Sequence, residues 1–291
     1  FGIMRLVAVA LVSFLGFAGV SFAQEVVPVA SAGPDVAIEC VGQNGTPIAM
    51  NGTGSSAGAD FSYLWTADPA VSFDDPTLLG PIGAFPVGTT LVTLTVTYTD
   101  PVTTAQSSAS DSLYVVVSDP TAPHICACAD PAVLWPPNHK MHDVSVRIRV
   151  YDTCDANPDV ELLSVTSNED DDGLGDGHTS DDVEGAVIGS DDRDFAVRAE
   201  RSGPGEGRTY TAVYRAWDLG ENHSDASVVV GVPHDMGQGH GLDVDECPEL
   251  DDYIASQAKV VKKAEKAQLK AAKQSAKATK KALKAAQRAA R

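Results

Sequence analysis

Apolar and polar residues alternate in short runs over residues 33–119 and again over 122–235, the period of strands that bury one face. The clearest run is Leu91-Val-Thr-Leu-Thr-Val-Thr-Tyr-Thr99, in which Leu and Val face Thr in near-strict period two. In the first segment the pattern predicts strands at Asp35–Glu39, Pro47–Asn51, Phe61–Thr66, Leu91–Thr99 and Ser112–Ser118. Asn51-Gly-Thr-Gly-Ser-Ser and Pro86-Val-Gly-Thr-Thr supply the turn chemistry between them. In the second it predicts His142–Tyr151, Val160–Thr166, Asp194–Glu200, Arg208–Ala216 and Ala226–Val232, with the Gly-rich stretch Arg201–Arg208 as a hairpin loop. Asp119-Pro-Thr-Ala-Pro123 reads as a proline-marked hinge between the segments. No helical period of useful length interrupts either one. The expected fold class is all-β, two tandem antiparallel β-sandwiches.

The ends follow other rules. Residues 1–23 read as a secretory signal peptide: Arg5 is the positive region, Leu6 to Val20 the apolar core, and Ser21-Phe22-Ala23 the small-x-small cleavage site. Met4 reads as the translation start, Gln24 as the first mature residue, and 24–32 as a linker. No further stretch could span a bilayer, so the mature chain is expected to have no transmembrane segment and to lie outside the cell or on its surface. Residues 236–258 are Gly-rich and then acidic, a second linker. From 259 to 291 the composition collapses to Lys, Ala and Gln, strong helix formers. Basic residues there recur in steps of three and four, one continuous stripe on a helix with too little apolar bulk for a coiled coil. Repulsion between neighbouring lysines makes this a partner-dependent helix.

Charge sharpens that division. The chain carries 21 Lys+Arg against 40 Asp+Glu and a formal net charge of −19, yet Glu265 is the one acid in its basic tail. Between Arg5 and Lys140 there is no Lys or Arg at all. An acidic body of this kind cannot hold phosphate backbones, which excludes sequence-specific nucleic-acid binding by the sandwiches. The five cysteines all follow the signal, where disulfides are permitted. Cys126-Ala-Cys128 lacks the spacing of a zinc knuckle, and Cys154 is expected to pair with Cys126 or Cys128. Cys40 and Cys247 stay unassigned.

Two resemblances add to this reading. Ala32-Gly-Pro-Asp35, Ile48-Ala-Met-Asn-Gly-Thr-Gly-Ser-Ser56, Tyr63-Leu-Trp65 and Gly88-Thr-Thr-Leu-Val-Thr-Leu-Thr-Val96 follow the order of a PKD-like immunoglobulin-fold repeat of secreted bacterial proteins. The resemblance implies that Trp65 plugs the space between sheets; the family's Gly-Asp-Gly turn is replaced by Thr66-Ala-Asp-Pro-Ala. Leu134-Trp-Pro-Pro-Asn-His-Lys-Met141, Ser167-Asn-Glu169, Gly175-Asp-Gly177, Arg198-Ala-Glu-Arg201 and Val232-Pro-His-Asp235 resemble a module found with hyalin-repeat or PKD-like domains of bacterial surface proteins. It implies a second Ig-like sandwich, an extracellular setting and no known reaction.

Several constellations could carry chemistry. Glu169 to Asp182 is rich in Asp and Gly, the oxygen-donor loop chemistry that suits Ca²⁺, with Asp170, Asp172, Asp176 and Asp182 as ligands. An EF-hand register fails, since Leu174 falls on a ligand position; the competing reading is a solvated, self-repelling loop. Trp135, before Pro136-Pro137, is either packed at a sandwich corner or a stacking platform for a sugar ring. Arg198, Glu200 and Arg201 read as cross-strand ion pairs, and no nucleophile elbow, phosphate loop or zinc-protease helix is present. Lys262, Lys266, Lys270, Lys273 and Lys277 are the contacts expected for a cell-envelope polyanion, the acidic body being the rival partner. The reading is a non-catalytic structural or adhesive surface module, rigidified by Ca²⁺. The alternatives are a carbohydrate-binding accessory protein that takes a surface glycan and, behind it, a hydrolase with an unrecognised carboxylate pair.

Overall fold

The computed structural model describes residues 26–172, 179–235 and 248–289. The signal peptide expected at 1–23 lies outside them, as do most of the linker, Asp176 and Cys247.

The first segment forms seven strands: β1 (Val36–Glu39), β2 (Thr46–Ala49), β3 (Phe61–Asp68), β4 (Ser72–Phe73), β5 (Ile82–Phe85), β6 (Gly88–Thr99) and β7 (Gln106–Ser118). They make one sheet in the order β1-β7-β6-β3 and a second in the order β2-β5-β4, antiparallel except for β1 on β7. Period two does its work on β6, where Val92, Leu94 and Val96 point inward. They meet Leu113, Val115 and Val117 of β7 and Ile48 and Phe85 of the facing sheet. Outward, Thr93 and Thr95 share hydroxyl hydrogen bonds with Ser112 and Ser110 at 2.9 and 3.0 Å, cross-strand pairs that keep the solvated face specific. Trp65 is buried in this core and its Nε1 donates to the Leu78 carbonyl at 3.0 Å, as the resemblance implied.

The second segment forms β8 (His124–Asp130), β9 (Met141–Tyr151), β10 (Asp159–Ser167), β11 (Val183–Glu184), β12 (Asp194–Arg198), β13 (Gly207–Trp217) and β14 (His223–Pro233). The sheets are β11-β12-β9-β8 and β10-β13-β14. Tyr210 and Tyr214 fill the core between them with Val144, Val146, Leu162 and Phe195. Burial raises both tyrosine hydroxyls, Tyr214 to about 12, so they stay protonated and donate to the Arg198 and Asp192 carbonyls. The Arg201–Arg208 stretch is not a hairpin loop. β12 and β13 belong to different sheets, so it crosses the sandwich edge.

Helix α1 (Pro248–Ala289) starts in what the composition marked as a linker. Pro248 in the first turn, followed by Glu249, Asp251 and Asp252 near the positive end of the helix dipole, is a sound start signal. Its partner is the body of the chain itself. Tyr253 stacks against His124 of β8 with ring centroids 4.4 Å apart, Asp251 pairs with Arg149 of β9, and Leu250 is buried. Farther along, Ala272 and Thr279 are buried as the helix runs over β2 and β5 of the first sandwich. A splint results, bound to both domains through small and apolar residues. Gly80 permits the close approach, since a Cβ there would stand 2.7 Å from Thr279 Cγ2 and 3.0 Å from the Met50 carbonyl. Gly80→Val should therefore cost about 1–3 kcal/mol by overpacking. Trypsin should then cut the lysine-rich helix faster than in the parent protein; an unchanged cleavage rate would argue against this contact.

Candidate functional sites

A network of buried charge closes one end of the second sandwich. Arg208, on β13, has a fully buried side chain that pairs with Asp182, reaches Glu169 at 3.2 Å and lies 3.7 Å from Glu200. Arg198, on β12, takes Asp182 at 3.1 Å from the other side and donates to the carbonyls of His139, Ser180 and Asp181. Glu200 is wholly buried and accepts from Thr179, with His139 Nδ1 at 3.2 Å. His139 of the Trp-Pro-Pro-Asn-His stretch, Arg198 and Glu200 are thus neighbours in space. The ion pairs expected of Arg198 and Glu200 exist, but across a buried end rather than on an exposed ladder. Arg201 donates to the carbonyls of Ser202 and His234.

The acidic loop is tied to the same network. Asp182 is 3 % exposed, held between two guanidinium groups that already neutralise it. The Asp170 carbonyl accepts from Arg208 at 3.0 Å while its side chain, like that of Asp172, faces solvent. Among the described residues, Asp170, Asp172 and Asp182 do not converge to ligand spacing. Asp176 lies outside the described residues. The reason is local: the β12 and β13 guanidinium groups compete for the carboxylate that the composition offered to a cation.

Trp135 is 47 % exposed, about half covered and half open to solvent. Lys262, Lys266, Lys270, Lys273 and Lys277 are all exposed on α1, and Lys277 borders the cleft between the helix and Asp74, Leu78 and Gly80 of the first sandwich. Among the described residues none of these lysines is ion-paired with a carboxylate, and Arg149–Asp251 is the ion pair at the docked end.

The expected pairing of Cys154 with Cys126 or Cys128 is overturned. Cys154 is bonded to Cys40, with Cα atoms 6.1 Å apart and 114 residues between them in sequence. The register gives the cause: β8 and β9 run antiparallel with His124 opposite Tyr151. Cys154 lies beyond that end, whereas Cys126 and Cys128 recede from it along β8 by about 3.4 Å per residue. Cys126 is disulfide-bonded as well, and Cys128 is a half-buried thiol.

The Cys40–Cys154 bond marks the joint between the sandwiches. Gln43 Nε2 donates across it to the Asp152 and Asp155 carbonyls at 2.6 and 3.2 Å. Asp119, from the connecting segment, Asp152 and Asp155, after β9, and Asp218, in the β13–β14 turn, are buried together there. Asp152 Oδ1 accepts the Cys154 and Asp155 amides, and Asp218 Oδ1 those of Gly220 and Asn222. Desolvation pushes the Asp152 carboxyl above the usual carboxylate range, and the charges of Asp119 and Asp218 add to the rise. Sequence reasoning passed over this group because its members are scattered singly along the chain. The one legible signal was Asp119 at the domain hinge.

No family model and no curated protein matches this chain. Among solved structures, the PKD domain from KIAA 1837 protein is 24% identical over 35% of this chain and 98% of that one, with a TM-score of 0.25. Mouse cadherin-23 EC22-24 is 15% identical over 71% of this chain and 66% of that one, at a TM-score of 0.30. A nucleoside hydrolase-related hypothetical protein from Saccharophagus degradans is 16% identical over 32% of this chain, which spans only 25% of it, at a TM-score of 0.25. Scores this low assign no family. The class rests on strand pairing: two tandem β-sandwiches with a C-terminal helix. No helix among the described residues is long and apolar enough to cross a membrane.

Proposed function

We propose that this protein is a non-catalytic structural or adhesive module of the cell exterior, a splinted pair of sandwiches whose lysine face holds it to an envelope polyanion. The observation that carries the reading is the division of labour on α1. Leu250, Ala272 and Thr279 of the helix are buried against the sandwiches, while Lys262, Lys266, Lys270, Lys273 and Lys277 stay exposed without carboxylate partners among the described residues. The helix is thus ordered by the body without its charge being consumed by it. Cations of this kind gain roughly 1 kcal/mol each near an anionic surface and lose it within a Debye length of about 8–10 Å. Changing Lys262, Lys266, Lys270, Lys273 and Lys277 together to Gln should weaken binding of the full chain to vesicles of anionic lipid by roughly 10³-fold, on the order of 4–5 kcal/mol, and flatten its salt dependence. Equal, salt-insensitive binding by both proteins would remove the anchoring role.

The second reading, a carbohydrate-binding accessory protein, is favoured by the partial exposure of Trp135, an aromatic residue of the kind that stacks on sugars. A glycan array with the parent protein and Trp135→Ala separates the two. Glycan capture lost with the tryptophan and kept by the lysine variant supports the second.

A further inference from the structure

We propose that the joint between the sandwiches is a site for one hard divalent cation, of which Ca²⁺ fits best, held by the carboxylates of Asp119 and Asp152 with Asp218 beside them. The site is distinct from the acidic loop, and its argument starts from an uncompensated oxygen. Asp119 is 6 % exposed; its Oδ1 accepts from the amide and hydroxyl of Thr121, but Oδ2 is buried without a hydrogen-bond partner. A buried carboxylate oxygen left in that state is costly, more so when its neighbour is a second carboxylate. Asp152, 2 % exposed, is that neighbour, and the two offer oxygens within 4.8 Å of each other.

That spacing suits one ion bridging both oxygens, since Ca²⁺ takes oxygen ligands at about 2.3–2.6 Å. Cys154 Sγ falls within the same distance but is tied up in the disulfide, so no thiolate is present and the donors are oxygens alone. An oxygen-only set argues against zinc and for Ca²⁺. Asp218 is brought to the place by its turn. The Asn222 Nδ2 donates both to Asp218 Oδ2 and to the Asp119 carbonyl, each at 2.9 Å. Gly220 leaves room for this, as a Cβ there would meet the Asp119 carbonyl at 2.7 Å. None of Asp119, Asp152, Asp155 and Asp218 is ion-paired with a Lys, Arg or His among the described residues. The contrast with the far end of the same sandwich is direct: there guanidinium groups neutralise the buried carboxylates, and here no Lys, Arg or His among the described residues does. Because Asp119 belongs to the interdomain segment and Asp152 and Asp218 to the second sandwich, the cation would lock the joint beside the Cys40–Cys154 bond.

The test is calorimetric titration of the full chain with CaCl₂, after stripping with EDTA, alongside melting curves at each Ca²⁺ concentration. The parent protein should bind Ca²⁺ with a dissociation constant of roughly 0.1–1 mM, the range of extracellular modules. Asp119→Asn, which preserves shape and the Thr121 contacts, should weaken that binding at least tenfold. In EDTA the same variant should melt at or above the parent temperature, because one of the repelling charges is gone; in 5 mM CaCl₂, roughly tenfold above the middle of that range, the order should reverse. Asp170→Asn with Asp172→Asn should leave the titration unchanged. Binding of equal strength by the parent and Asp119→Asn overturns the site, as does loss of binding only in the acidic-loop variant. No heat and no melting shift with the parent protein up to 5 mM would equally overturn it.

Discussion

Arg208→Met should destabilise the protein by about 3–5 kcal/mol, the loss typical when one partner of a buried ion pair is removed. The side chain fits the space but carries no charge. What it leaves behind decides the size of the effect. Asp182 and Glu200 are nearly or fully buried, and Glu169 is mostly so. Arg198 remains within reach of Asp182 and Glu200, so one guanidinium would face carboxylates that two now share. The Asp170 carbonyl also loses its donor, which frees the base of the acidic loop. Arg215→Gln is the matched control, because Arg215 and Asp225 form a bidentate pair at 2.7 and 2.9 Å on the exposed face of the same strand. That solvent-screened surface pair should matter far less than the buried network. Urea denaturation of both variants measures the difference, and equal midpoints would contradict the network as drawn.

Replacing Cys40 and Cys154 together by Ala should cost about 4–5 kcal/mol, since the bond closes a loop of more than a hundred residues and the entropy restored to the unfolded chain grows with loop length. The bond also ties one sandwich to the other, so its loss should be felt at the joint first. Gln43 would then hold the first sandwich to the Asp152–Asp155 turn by hydrogen bonds alone. Hydrogen exchange should rise at residues 40–46 and 152–157 before it rises in the β6–β7 ladder. Non-reducing peptide mapping checks the premise: Cys154 must be recovered linked to Cys40, and a link to Cys126 or Cys128 would refute it.

How far these features were legible in advance differs with the range of the interaction behind them. The strands of β6, β7, β9, β10, β13 and β14 could be read because one buried face imposes period two on neighbouring residues. The short strands β4, β5, β8 and β11 carried no such mark. Ile82-Gly-Ala-Phe85 becomes a strand by pairing with β2 and β4, and the small residues of His124–Asp130 by pairing with the longer β9. Composition showed that the C-terminal segment is a basic helix. It did not show that Leu250 and Tyr253 begin it, because their burial depends on a surface formed by β8 and β9 more than a hundred residues earlier.

By itself, then, the sequence determined the all-β class, the two-part division at Asp119–Pro123 and the one-sided charge of the tail. Alternation, turn chemistry and charge are properties of neighbouring residues, and they survive in any fold the chain adopts. Only the tertiary structure decided which cysteines meet, which carboxylates are neutralised and which are left bare. Asp182 and Asp119 are equally acidic on paper. One is buried against Arg198 and Arg208 and the other against Asp152, and that difference arises solely from which loops the two sandwiches bring together.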